Sequence, residues 1–275
     1  MDVQDYYPTP GTSTRFHDMT RPRRGSASLR PILRRPQPWN QLLSARVMAG
    51  ALLSGWATTC RADGWGGQLG LSSDNVLRGL TQSDHQISPQ ADLHYGYSGW
   101  YAGLAALGVR RGVERTAGVE LIAYAGYQKV LSPDFGASVA LRHYDYPGYQ
   151  QRGDYNYDEA ALSVNWRRLL LLTVTASPDL YFFDFYGNAG RGAAFSYELG
   201  GRQPLAFGVS ADAGIGYYDL RQQIGTGYRY WSAGASWQWR SLNVALHYVG
   251  TDGTAKDRFQ DLAENRLVMS VLWQF

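Results

Sequence analysis

Asn265-Arg266-Leu267-Val268-Met269-Ser270-Val271-Leu272-Trp273-Gln274-Phe275 is the stretch that decides how this chain is read. Leu267, Met269, Val271, Trp273 and Phe275 alternate with Arg266, Val268, Ser270, Leu272 and Gln274. Successive side chains of a strand point to opposite faces, so an extended chain here has one uniformly apolar face. The same repeat governs residues 207–218. There Phe207, Val209, Ala211, Ala213, Ile215 and Tyr217 oppose Gly208, Ser210, Asp212, Gly214, Gly216 and Tyr218. It recurs in 242–249 and in 119–128, where Val119, Leu121, Ala123, Ala125 and Tyr127 oppose Glu120, Ile122, Tyr124, Gly126 and Gln128.

A soluble sandwich also alternates, so other features must choose between water and lipid. Strands are expected near 65–77, 87–97, 99–109, 116–128, 135–146, 155–166, 169–178, 193–202, 206–218, 228–239, 241–249 and 265–275. Many reach about ten residues, the length a tilted strand needs to cross hydrocarbon. Tight connections (Ser98-Gly99, Ser132-Pro133-Asp134, Arg167-Arg168, Gln203-Pro204, Arg240-Ser241) alternate with longer polar ones at 147–154, 179–192, 219–227 and 250–264. Short turns on one rim and long loops on the other define an up-and-down barrel with both ends on the short-turn side. The reading is therefore all-β: a single antiparallel up-and-down transmembrane β-barrel of about 12 strands, preceded by a signal peptide. Aromatic girdles are expected at the short-turn rim (Trp100, Phe135, Trp166, Phe207, Trp239, Trp273) and near the long loops (Tyr146, Tyr155, Tyr181, Tyr217, Trp231, Tyr248).

Composition fits. Among 275 residues there are 32 Gly, 20 Tyr and 9 Trp, with 18% charged residues, and the mean hydropathy is −0.35. No apolar run is long enough for a membrane-spanning helix. Residues 1–62 hold nine Arg against three Asp, which leaves 17 basic and 20 acidic residues in the remainder. The positive charge thus belongs to the leader, and the body offers no electrostatic case for nucleic acid. Within 1–62 an Arg-rich stretch precedes an apolar run at 42–59 and the small residues up to Ala62, the order of a secretory signal cleaved near Ala62. The one cysteine, Cys60, lies in that leader, so the expected barrel domain of 63–275 has neither disulfide nor thiol nucleophile.

Ser73-Asp74-Asn75-Val76-Leu77-Arg78-Gly79-Leu80-Thr81-Gln82-Ser83 resembles the opening motif of the TorF-type family of Gram-negative outer-membrane porins. Gly99-Trp100-Tyr101-Ala102-Gly103, Val119-Glu120 with Tyr124-Ala125-Gly126-Tyr127, and Tyr146-Pro147-Gly148 with Tyr157-Asp158-Glu159 follow in the family's order. Asn75 and Leu77 stand where the motif carries aromatics, and Ile122 where it carries an acid. The resemblance implies an outer-membrane location and a channel role, with no established substrate and no catalytic residues.

The motif also has a physical reading. Asp74 and Arg78, four apart, share a strand face, and Gly79 permits a bulge or bend before an outer loop. The pair either fixes a plug or constriction or is an ordinary ion pair near a strand end. Candidate lumen residues are Asp74, Arg78, Glu120, Arg142, Tyr144, Glu159, Glu198 and Asp212, which would set solute preference by charge and hydrogen bonding. Glycines at inward positions (Gly126, Gly200, Gly208, Gly214, Gly216) argue mildly for open space, or else for strand curvature. No phosphate loop, zinc spacing or nucleophile elbow is present, and Asp84-His85 reads as solvated surface, so no enzyme, metal or cofactor is expected. The expected function is passive diffusion of small polar solutes or ions across the outer membrane. The alternative is a non-conducting structural or surface-binding barrel. Expected partners are outer-membrane lipids, lipopolysaccharide, small solutes, and the barrel assembly machinery reading Phe275 at the end of an alternating strand.

Overall fold

The computed structural model describes residues 63–111, 116–149 and 155–275. The expected leader, its cleavage site and Cys60 lie outside the described residues. The chain begins with β1 (Gly64–Ser72) and a small hairpin, β2 (Val76–Leu77) and β3 (Leu80–Thr81). Then come β4 (Ser88–Tyr97), β5 (Trp100–Arg111), β6 (Thr116–Val130), β7 (Phe135–Asp145), β8 (Tyr157–Trp166) and β9 (Leu170–Phe183). They are followed by β10 (Ala189–Pro204), β11 (Val209–Leu220), β12 (Thr226–Trp239), β13 (Leu242–Thr251) and β14 (Arg266–Gln274). All except β2 and β3 form one closed antiparallel barrel in chain order, β1 pairing with both β4 and β14. The seam continues past β14, where Gly67 and Phe275 exchange backbone bonds of 3.0 and 3.1 Å. Closure leaves no row of unpaired N–H and C=O groups, the one condition under which a sheet can stand in hydrocarbon.

The alternation sorts as expected. On β14, Leu267, Met269 and Trp273 are exposed, while Val268, Ser270 and Leu272 between them keep 2% or less of their surface. Leu104, Leu141, Leu162, Leu172, Leu199 and Leu246 make the same outward belt around the barrel. Exposed apolar area on this scale has no place in water and is what lipid would cover. Trp65, Trp100, Phe135, Trp166, Trp239 and Trp273 ring the short-turn rim on the outside. Two of those turns, Ser98-Gly99 and Arg167-Arg168, have both central residues at positive φ, the mirror-image turn that matches strand twist.

Four expectations need correction. The first strand ends at Ser72 rather than 77, because Ser72 Oγ donates to the Asp74 carbonyl (2.6 Å) and residues 73–87 leave the wall. The turn expected at Gln203-Pro204 falls at 205–208, with Phe207 and Gly208 at positive φ; β10 runs through Pro204, at a strand end where a missing N–H costs nothing. Tyr146, expected at the membrane boundary, is 1% exposed and points inward. Finally, of the glycines expected to face inward, Gly208 sits in an exposed turn, and Gly126 and Gly216 do not leave empty space. Gly126 lies opposite Tyr101 and Gly216 opposite Tyr230 across the ladder, and a Cβ at either would collide with that tyrosine ring. Glycine here lets a neighbouring ring lie flat on the wall.

The long loops fold over their rim. Between β11 and β12 lies α1 (Arg221–Ile224); between β13 and β14 lies α2 (Gly253–Phe259), continued by a 3₁₀ turn (Gln260–Ala263). Asp252 caps α2 by accepting from Ala255 N (3.0 Å). Ala255, Phe259 and Ala263 are buried with Leu80, Leu220, Ile224 and the inward tyrosines 144, 146, 149, 157, 218, 228 and 230 in one core at the loop end. The barrel therefore has a packed, aromatic loop half. Its short-turn half is lined by small polar groups such as Ser163, Thr173, Ser210, Ser236 and Asn243.

Candidate lumenal constriction

The segment that leaves the wall after β1 crosses the barrel. Arg78 and Gly79 form the tip of the β2–β3 hairpin, both with positive φ (51° and 83°). Glycine is required at the second position, since a Cβ there would also meet Thr251 and Tyr230. At its root Asp74 accepts from Thr81 Oγ1 (2.5 Å), Ser83 Oγ (2.8 Å) and Arg266 Nη1 (3.1 Å). Val76 packs on Val249 and Val268 of the near wall.

From the tip, beside Thr251 and Tyr230, the Arg78 side chain reaches the far wall. Arg78 Nη2 donates to Glu159 Oε2 at 2.5 Å, its carbonyl accepts from Tyr228 Oη at 2.9 Å, and its guanidinium lies 4.5 Å from the centre of the Tyr218 ring. The other oxygen of Glu159 accepts from Arg142 Nη1 at 2.7 Å and from Tyr144 Oη at 3.4 Å. Tyr144 in turn stacks on Tyr157 at 4.4 Å and 9°. Around this centre Glu198 accepts from Tyr230 Oη (2.6 Å) and Glu120 from Tyr146 Oη. All of these side chains except Arg142 are buried. Two guanidinium groups on one carboxylate, with further acids held by tyrosine hydroxyls, make a polar diaphragm across an otherwise aromatic layer.

The eight sequence candidates thus fall into three places. Arg78, Arg142, Tyr144 and Glu159 meet directly, with Glu120 and Glu198 nearby. Asp74 does not pair with Arg78, because the chain between them turns into the lumen; it holds the hairpin root instead. Asp212 sits six residues from Tyr218 toward the short turns, roughly 20 Å along the strand. There it bonds Arg202 Nε and Ser236 Oγ (2.7 Å), and lies 3.6 Å from His247 Nε2. Because Ser236 donates to the aspartate rather than to the histidine, this group has no nucleophile–base contact. Asp84 and His85 stand above the root, His85 Nδ1 3.7 Å from Asp74. Asp158 pairs outward with His143 (2.8 Å), on the face opposite Glu159.

Tyr228 and Tyr230 were not singled out from the sequence. The signal was there: 228, 230, 232, 234, 236 and 238 form the polar face of β12, against Trp231, Trp237 and Trp239 on the other. Arg202 and Asp92, which accepts from Tyr124 Oη at 2.5 Å, were also missed.

Residues 63–275 match the family described as "Bacterial protein of unknown function (Gcw_chp)". The chain belongs to this family. No curated protein matches the sequence. Among solved structures, the NanC porin is similar with a TM-score of 0.50 at 8% identity, over 77% of this chain and 98% of that one. Salmonella typhi OmpF in complex with daunomycin gives 0.44 at 10% identity, over 77% and 97%. An outer-membrane channel from Pseudomonas putida F1 gives 0.45 at 13%, over 83% and 99%. At 8% identity the NanC likeness bears on the fold alone: this member of the Gcw_chp family has the architecture of an outer-membrane porin-like barrel.

Proposed function

We propose that the chain is an outer-membrane channel for passive diffusion of small polar solutes or ions. The observation that carries this is the charged diaphragm. A barrel with only a mechanical role needs no two arginines and three glutamates across its lumen, because burying charge is costly unless the charge is used. The small hydroxyl and amide side chains of the short-turn half extend the polar route. The resemblance of residues 73–83 to the opening motif of TorF-type porins supports the same reading. In it the barrel sits in the bacterial outer membrane among phospholipid and lipopolysaccharide, after removal of a leader near Ala62 and insertion by the barrel assembly machinery.

Refolded barrel should give discrete conductance steps in planar bilayers, and liposomes containing it should swell in small sugars faster than in large ones. A non-conducting barrel is the second reading, favoured by the core of Tyr146, Tyr228 and Phe259 that fills the loop end. Silence in both assays, with folded protein in the membrane, would establish that second reading.

A further inference from the structure

The two ends of the inserted hairpin are held in different ways. Its root is tied to the near wall several times over. Ser73 N donates to Met269 O (2.8 Å) and Met269 N to Ser73 Oγ (3.0 Å). Arg110 N donates to Gln82 O (2.7 Å) and Arg266 to Asp74 (3.1 Å), while within the root itself Asn75 N donates to Ser83 Oγ (2.9 Å) and Asp74 accepts from Thr81 and Ser83. The tip has one charged contact, Arg78 to Glu159, one tyrosine hydroxyl on its carbonyl and one ring beneath it; its remaining hold is apolar packing, Leu80 in the loop-end core and Gly79 against Thr251 and Tyr230.

We infer that the β2–β3 hairpin is a hinged plug, its root the hinge and the Arg78–Glu159 contact a releasable latch that closes the channel proposed above. The inference rests on that channel reading. Two features make the latch releasable. First, Glu159 is shared with Arg142, so when Arg78 withdraws the carboxylate keeps a cation and the wall is not left with a bare buried charge. Second, Arg78 Nε and Nη1 are buried without a hydrogen-bond acceptor among the described residues. The closed state thus leaves two guanidinium nitrogens, with three N–H groups, unsatisfied that water would satisfy on opening. The backbone is suited to such a movement, because the tip is a two-residue turn whose strands are themselves only two residues each and pair with nothing but each other.

The experiment is single-channel recording on the refolded barrel in four forms: native, Arg78→Ala, Glu159→Gln, and a form in which residues 75–82 are replaced by a short Gly-Ser turn. Heat-modifiable gel mobility verifies folding of each. Loss of a charge-assisted contact should shift the closed-to-open ratio by about tenfold or more. Arg78→Ala and Glu159→Gln should therefore both lengthen open time, and the turn replacement should give a channel that never closes to the native low level. If the turn replacement conducts but Arg78→Ala and Glu159→Gln gate like the native protein, the latch is wrong and the channel stands. If all four folded forms are silent, the channel reading falls and takes the plug with it.

Discussion

Asp74 shows how much one carboxylate can organise. It accepts the hydroxyls of Thr81 and Ser83 and the guanidinium of Arg266 from β14; Asp74 is buried and the Arg266 side chain nearly so. Removing one partner of a buried ion pair leaves the other uncompensated, so Asp74→Ala should destabilise the barrel by about 3 kcal/mol. This would be read as an earlier loss of the folded gel band on stepwise heating. The spacing of Asp74 and Arg78 reads as a shared strand face, but the strand ends at Ser72 and the two residues find separate partners. Both partners, Arg266 and Glu159, are set by tertiary closure, which periodicity does not encode. At the loop rim, burial pushes the Asp184 carboxyl up. Hydrogen bonds from Asn188 and Arg258 outweigh it, so its pKa stands below the ordinary aspartate value. A depressed pKa contributes stability that is present above the ordinary range of about 3.9 and lost as pH falls through the lower folded value. Proteolytic nicking near residues 184–188 should therefore rise on acidification through that window. Asp184→Asn should flatten the pH profile; an unchanged profile would show that another group fastens the cap.

At the scale of elements the alternation carried nearly everything. Nine of the twelve strands expected from the sequence agree with barrel strands to within three residues at both ends. β9 and β10 instead run on into 179–192, expected as a long connection, and leave a loop of only 184–188. The agreement follows because one face must meet lipid and the other must not, and a slip of one residue would exchange them. Leu141 lies mid-strand on the outward face of β7. Leu141→Arg should cost about 2–4 kcal/mol of folding stability in bilayers, measured by urea titration of tryptophan fluorescence in lipid vesicles. A soluble-side Leu would lose far less. What alternation could not give was cross-strand register, and with it the meaning of the inward glycines. Gly216 reads as space in the sequence and as a bed for Tyr230 in the barrel. Gly216→Ala should lift that ring off the wall, break its 2.6 Å bond to Glu198, and cost about 1–3 kcal/mol through overpacking. The matched pair Gly216→Ala with Tyr230→Phe should lose little more than the single change.

For the molecule as a whole, strand number and closure followed from the rhythm of short and long connections. The inserted hairpin did not, because a segment that crosses a lumen looks in sequence like any strand end followed by a loop. Closure depends on β14 bridging β13 and β1. Truncation after Glu264 would leave two open edges, which hydrocarbon does not tolerate. The truncated chain should show no heat-modifiable band and should stay out of vesicles; a folded, inserted product would contradict the barrel as described. The glycine-bedded rings carry one more implication. In most barrels, internal width follows from how many strands go round. Here aromatic tiles laid on glycine gaps add a second, local control over calibre. Swapping a single tile for serine would widen the passage without touching the hoop of hydrogen bonds around it, so related chains could change what passes while keeping the same wall.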